Sequence, residues 1–446
     1  MNCPLPGTFK DAIKVTRKLR SAFGVSYIWI DALCVIQDSV EDWQQESSAM
    51  GDTYRSSFCN LAACVGPDSY SGLFQDYDPF SSHTCVVRAA MGDSAQAFYE
   101  IENHETLHTD VESSYLESRA WVVQEILLAP RILYFTPHRL IWECGSLGAS
   151  EKAPNEMLLG SPRKRRWFGG PALLTRTVNE QEHPDYWLYR IWMNTVNDYT
   201  GRNLTRSEDK LVAISGLAKQ VHTSFAIPDE YVVGLWKRNL LLHMQWRLRY
   251  GHQTIRPKPY RAPSWSWASV DGTIYNHRTN QEAVENCSAM VDILKMDITH
   301  LTDDIFGQVK SAELLIKGSL LEIELEFQAQ SRHQLVTTAH LQWRRETFTK
   351  IGEDVIDLDF ATSADSAPTS TYCMPFIREK YGESPETLVS LLLERVPGSP
   401  GMYQRFGGCD LVRGIRHVLG MARFRELSKD EYIKSHGNGM YTIVIV

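Results

Sequence analysis

No apolar run in this 446-residue chain approaches the ~20 residues that a membrane-spanning helix needs. The opening Met1-Asn2-Cys3-Pro4-Leu5-Pro6 contains no apolar core of a secretory signal. Cysteine is sparse and unpatterned: nine residues, an odd number, with no C-x-x-C pair. Neither a disulfide framework nor a zinc site is expected, and a reducing, cytoplasmic setting fits best. Excess positive charge is missing as well. The formal net charge is −8, so no general basic field would recruit nucleic acid. The one basic run, Arg163-Lys164-Arg165-Arg166, lies between Pro162 and Gly169-Gly170 and reads as a solvated loop. Also absent are G-x-G-x-x-G, Walker A, H-E-x-x-H and G-x-S-x-G patterns. Dehydrogenase, P-loop ATPase, zincin and serine-hydrolase readings lose their main support with them.

What is present predicts a mixed architecture. Phe9, Ile13 and Thr16, with Ala12 and Leu19 nearby, recur at helical spacing from about Thr8 to Leu19, with Thr8 as the expected N-cap and Gly24 as the stop. Tyr27-Ile28-Trp29-Ile30 then reads as a buried strand running into the polar loop Asp31 to Asp38. A helix from Val40 to Tyr54 follows, carrying Trp43, Met50 and Tyr54, and then a strand from Phe58 to Val65. A helix from Arg119 to Leu128 stops at Pro130, and Arg131–Phe135 and Leu140–Cys144 form a β pair. This alternation predicts a parallel α/β sheet over residues 1–150. Residues 151–271 read as helical from about Pro184, with helices near Trp187 to Val196, Lys210 to His222 and Tyr231 to Tyr250. They end in Ala262-Pro263-Ser264-Trp265-Ser266-Trp267-Ala268-Ser269. Residues 272–446 are β-rich, as in Leu314 to Phe327, Gln334 to Trp343 and Tyr441 to Val446, with a loop from Ser363 to Ser370.

Five blocks, taken in order, resemble the fungal heterokaryon-incompatibility (HET) domain family. They are Phe9 to Ile13 leading to Tyr27–Asp38; Asp42-Trp43 with Met50-Gly51-Asp52-Thr53-Tyr54 and Leu61-Ala62-Ala63; Arg119-Ala120-Trp121-Val122-Val123-Gln124-Glu125 with Pro130 to Leu133 and Trp142-Glu143-Cys144; Asp209 to Ala218 with Gly234-Leu235-Trp236; and Ala262 to Ser269. The resemblance covers most of Phe9 to Gly272. It implies a sheet domain similar to the TIR fold, a flavodoxin-like α/β layer. The family's usual upstream strand, with a Leu-Ser-Tyr-x-Trp-Gly-like motif, is not in this sequence. A misassigned start codon, a degenerate paralogue or a substitute segment would each account for that. Its absence is expected to leave neighbouring strands with unpaired edges and exposed apolar faces.

The same resemblance supplies the sharpest chemical candidate. Some TIR domains cleave NAD with a glutamate in a Trp-x-x-x-Glu-like pattern, and Trp121 and Glu125 stand four apart here, on one helix face. Cleavage of the nicotinamide–ribose bond passes through an oxocarbenium-like state that a carboxylate stabilises. Glu125 is therefore the catalytic candidate, with Trp121, Asp31 and Arg119 as candidates for holding NAD as substrate. The competing reading is structural: Glu125 pairs with Arg119 or Arg131, Trp121 sits in the core, and Asp31 caps the following turn. Cys34 reads as a buried apolar cysteine, Gln37 and Asp38 as loop-shaping residues, and Trp265-Ser266-Trp267 as packing between helical and β regions. No resident cofactor is firmly implied. The expected function is non-self recognition and programmed cell death signalling through an incompatibility partner or self-association. The enzymatic alternative is a TIR-like NAD nucleosidase, and the minor one an accessory role in a metabolic gene cluster.

Overall fold

The computed structural model describes residues 5–76, 85–89, 97–101, 110–151, 154, 186–249, 257–276, 278, 284–328, 338–342, 355–359, 371–382, 386–412 and 426–446. The basic run at 163–166 and the loop from Ser363 to Ser370 lie outside them. The chain divides into two units, Met1–Thr177 with Arg202–Leu204, and Val178–Gly201 with Thr205–Val446.

The first unit is a small α/β layer. Helix α1 (Gly7–Phe23) ends where Gly24 takes φ 76° and donates its N–H to the Arg20 carbonyl, a left-handed stop that glycine adopts without a Cβ penalty. Thr8 does not cap it. The helix begins at Gly7 after Pro6, and the Thr8 hydroxyl instead accepts the Gly72 N–H at 3.2 Å. A one-turn helix, α2 (Asp31–Cys34), leads into α3 (Val40–Arg55), which Ser39 caps by accepting the Asp42 N–H at 3.2 Å. Strand β1 (Asn60–Ala63) follows, then a hairpin of β2 (Cys85–Ala89) and β3 (Ala97–Ile101). Helix α4 (Val122–Leu128) precedes β4 (Arg131–Phe135), β5 (Leu140–Cys144) and β6 (Gly148–Ser150).

The sheet order is β1-β4-β5-β6, with β1 and β4 parallel and the other pairs antiparallel. Side chains alternate across it, as a period of two requires. Ala62, Ile132 and Tyr134 pack with Val122 and Ile126 of α4 on one face. On the other, Phe135 packs with Ala12 of α1 and Leu73, flanked by Leu61, Ala63 and Leu133. Helix α3 packs beside α4.

Two further expectations for this unit need correction. Ile30 is extended (φ −136°, ψ 118°), but Tyr27–Ile30 joins no ladder among the described residues, and Tyr27 is 91% exposed. Its β-branched and aromatic pattern is that of a strand, but no described strand pairs with it. Cys34 is exposed rather than buried, because the turn that carries it follows that unpaired segment.

The second unit is dominated by an eleven-stranded, mostly antiparallel sheet of described strands running from Asp292–His300 at one end to Thr338–Gln342 at the other. Helices Tyr186–Thr200 and Val212–Ser224 form where helical spacing predicts them. The expected third helix from Tyr231 to Tyr250 does not. Tyr231–Val232 and Leu235–Trp236 form a hairpin instead, turning on Val233 (φ 44°) and Gly234 (φ 90°). Two positive φ values at the turn centre are the geometry that matches strand twist. A Cβ at Gly234 would lie 2.7 Å from Trp267 Nε1. A single helical turn, Leu240–His243, and the strand Arg247–Leu248 complete the segment.

The Trp-Ser-Trp block is structural here. Trp265 and Trp267 are fully buried, and the Nε1 groups of Trp192 and Trp267 both donate to the Gly234 carbonyl at 2.8 Å. The Ser266 hydroxyl donates to Val233 O at 2.7 Å, and that of Ser264 donates to the carbonyl of Val446. The block thus ties the hairpin to the C-terminal strand, the packing role the sequence suggests.

Candidate functional site

A cleft of about 730 Å³ opens in the first unit, within the usual size of a ligand pocket. Val25–Asp31 and Ser56–Leu61 both line it. Helix α1 contributes Phe9, Ala12, Thr16, Leu19 and Phe23, and the end of α3 contributes Thr53 and Tyr54. Glu125, from α4, also lines it.

Glu125 is held in place by its helix and by its surroundings. The Asn60 side chain donates to its backbone carbonyl at 3.1 Å, fixing α4 against the start of β1. Its carboxylate accepts a hydrogen bond from the Tyr54 hydroxyl. Loss of water contact pushes the Glu125 carboxyl up to about 7; Arg119 and the Tyr54 bond pull it down, and Asp31 adds a small push upward. The side chain is crowded by protein yet not sealed, because water still reaches part of it through the cleft. The same crowding, with the Glu125 charge alongside, pushes the Tyr54 phenol well above its ordinary value. Trp29 meets the Tyr54 ring edge-on, 5.8 Å between centroids.

The structure therefore brings Asp31 and Arg119 to Glu125, as charges that bear on its titration. Asp31 is exposed, and its Oδ1 accepts the Ala32 N–H at 2.7 Å at the start of α2. Trp121 stands at the N-terminal boundary of α4 and does not line the cleft. Gln37 shapes its loop by donating to Val35 O at 2.9 Å. Tyr54 was missed as a site residue. Its spacing with Trp43 and Met50 marks a helix face, and nothing in that spacing says that its hydroxyl reaches a carboxylate on a helix some seventy residues away.

Residues 1–125 match the family model described as heterokaryon incompatibility protein (HET). Over that span the chain is similar to the HET domain family. No curated protein and no solved structure matches the chain. Glu125 is the last residue of the HET match, so α1, α2, α3, β1 and the cleft all fall within it. Among the described residues the HET domain and the rest of the chain gather no group of three or more His, Cys, Asp or Glu side chains that could hold a metal. Nor is any described helix long and apolar enough to cross a membrane.

Proposed function

We propose that this chain is a fungal heterokaryon-incompatibility protein that signals non-self recognition and programmed cell death through protein–protein contacts of its HET domain. One observation carries this reading: the rim of the cleft is apolar and open to solvent. Phe23 (65%), Tyr27 (91%), Ile28 and Phe58 are all exposed there, and the rings of Phe23 and Phe58 lie 5.5 Å apart. Contiguous exposed apolar surface, unlike scattered single residues, marks interaction sites. Placing charge on the rim with Tyr27→Asp and Ile28→Asp should abolish cell death on expression in a fungal host, at unchanged protein level. Full toxicity in the double variant would refute a contact role for this surface.

The Glu125–Tyr54 pair favours a second reading, a TIR-like NAD nucleosidase in the same cleft. With its carboxyl near 7, Glu125 is about half ionised at neutral pH. The positively charged nicotinamide ring of a bound NAD would draw it toward the carboxylate, the form that stabilises a ribosyl oxocarbenium ion. The Tyr54 hydroxyl donates to that carboxylate and would hold its orientation. Nicotinamide leaves as a neutral group, so no general acid is required. On this reading, purified protein releases nicotinamide from NAD and the Glu125→Gln variant does not. Release that survives the substitution would remove Glu125 from the chemistry.

A further inference from the structure

The strand Asp292–His300 closes one end of the eleven-stranded sheet and pairs only with Val309–Ser319 among the described residues. Alternate residues of such an edge direct their N–H and C=O groups away from the ladder, where another strand can take them up. At nine residues it is long for an open edge, since proteins usually keep such edges short. Its side chains divide between two faces. Ile293, Met296 and Ile298 stand opposite Ile316, Leu314 and Ala312, all three buried in the core. Lys295, Asp297 and Thr299 stand opposite Leu315, Glu313 and Ser311 on the other face and are exposed. Bulges at Leu294 and between Thr299 and His300 bracket the run. The apolar row opens toward solvent: Met296 and Ile298 are half-buried, and Leu294 is 50% exposed. Asp297 meets Glu313 directly across the ladder, a like-charge pair that costs stability, while the Lys295 ammonium lies 2.6 Å from Asp297 Oδ2.

We propose that two copies of the chain associate edge to edge, each Asp292–His300 strand pairing antiparallel with its counterpart about a two-fold axis at Met296. Directly opposite residues share a face in an antiparallel pair, so only registers that match the two faces are open. With the axis at Lys295, that lysine meets its own copy; with the axis at Asp297, the aspartate does. Either register sets like charges against each other. The axis at Met296 sets Lys295 of each copy against Asp297 of the other, twice over, because a two-fold contact is made in both directions. It also sets Met296 against Met296 and Leu294, the extra residue of the bulge, against Ile298, which carries the apolar row across the junction. The lysine of the second copy adds positive charge beside the Asp297–Glu313 pair. The run Leu294-Lys295-Met296-Asp297-Ile298 is apolar, basic, apolar, acidic, apolar, and read backwards it is its own charge complement. A foreign strand would have to be matched to that order, whereas a second copy already carries the match. Five residues of strand span about 17 Å and bury less than a standard interface, so the dimer forms at micromolar concentrations rather than below them. The surface lies outside the residues matched to the HET family and outside the cleft, so this inference goes beyond the function read there.

The test is sedimentation velocity of the full chain from about 1 µM to about 200 µM, the range in which a weak dimer forms. The weight-average mass is expected to rise from 50.9 kDa toward twice that value. Lys295→Asp alone places a carboxylate against Asp297 of the other copy at both contacts, and Asp297→Lys alone places an ammonium against Lys295. Each should weaken self-association by about tenfold or more. Both side chains are more than half exposed, so the variants should fold as the wild type does, and matching thermal unfolding would show it. Mixed one to one, the two variants are complementary again at both contacts and should associate about as tightly as the wild type. The double variant, Lys295→Asp with Asp297→Lys, should regain self-association by itself. A wild type that stays monomeric at the highest concentration, single variants that associate like the wild type, or variants that fail to pair when mixed would overturn the proposal. A monomeric chain whose toxicity still depends on Tyr27 and Ile28 would refute the dimer and leave the HET-domain contact reading standing.

Discussion

Arg405→Met should destabilise the second unit by about 3–5 kcal/mol, the usual cost of removing one partner from a buried ion pair. Arg405 is fully buried and Asp359 nearly so. The guanidinium donates from Nε to Asp359 Oδ2 at 2.7 Å and from Nη2 to Oδ1 at 3.2 Å. It also donates to the carbonyls of Met244 and Trp246, both at 2.6 Å, and lies 3.5 Å from the centre of the Trp246 ring. Methionine fills much of the volume but strands a buried carboxylate and removes donors from two carbonyls. The cost comes from Asp359 being left behind, so Arg405→Met combined with Asp359→Leu should recover a large part of the loss. Urea unfolding of the wild type, the single variant and the double variant would measure this. A single variant within about 1 kcal/mol of wild type would show that the pair is not what holds this region.

The elements that periodicity governs were legible in the sequence. Helix α3, strands β4 and β5, the helices at Tyr186–Thr200 and Val212–Ser224, and the last strand fall close to where apolar spacing puts them. Two failures have physical causes. Tyr27–Ile30 has strand composition, but strand formation is decided by a neighbour, and among the described residues none pairs with it. The stretch from Tyr231 looks helical because its apolar residues are dense. The turn at Val233-Gly234 overrides that pattern, and a valine at φ 44° is a poor advertisement for a turn. The candidate site was half legible. Glu125 and Arg119 come from one block of the resemblance and Asp31 from another, and the fold brings them together. The Tyr54 contact and the buried network of Arg247, Arg278, Asp410 and Glu379 depend on distant segments meeting. No local pattern encodes such meetings.

Glu125 should make the stability of the HET domain fall as pH rises from about 4.5 to about 7. Its carboxyl titrates near 4.5 when water surrounds it and near 7 in the folded cleft. Between those values the folded chain keeps a proton that the unfolded chain has released, so each step upward in pH favours unfolding. Below 4.5 both states are protonated and above 7 both are ionised, so the effect is confined to that interval. At about 1.4 kcal/mol per pH unit it amounts to ~3 kcal/mol at most, less whatever the partial access of water relieves. Asp11, whose carboxyl is held below its ordinary value by Lys14 and the Leu73 N–H against the opposing pull of burial, acts at lower pH and in the opposite sense. Glu125→Gln removes the titration and keeps an acceptor for the Tyr54 hydroxyl. The variant should match the wild type near pH 4.5 and exceed it by ~2–3 kcal/mol at pH 8. Hydrogen exchange of the β1 and β4 amides, followed in both proteins across that range, reports on this unit alone. Parallel pH profiles in the two proteins would mean that the carboxyl is solvated well enough to titrate normally. Glu125 would then be an ordinary surface acid, and the electrostatic case for chemistry in the cleft would go with it. A profile that flattens in the variant would establish a strained, ionisable carboxyl at the cleft wall. That is the property which a substrate cation would relieve on binding.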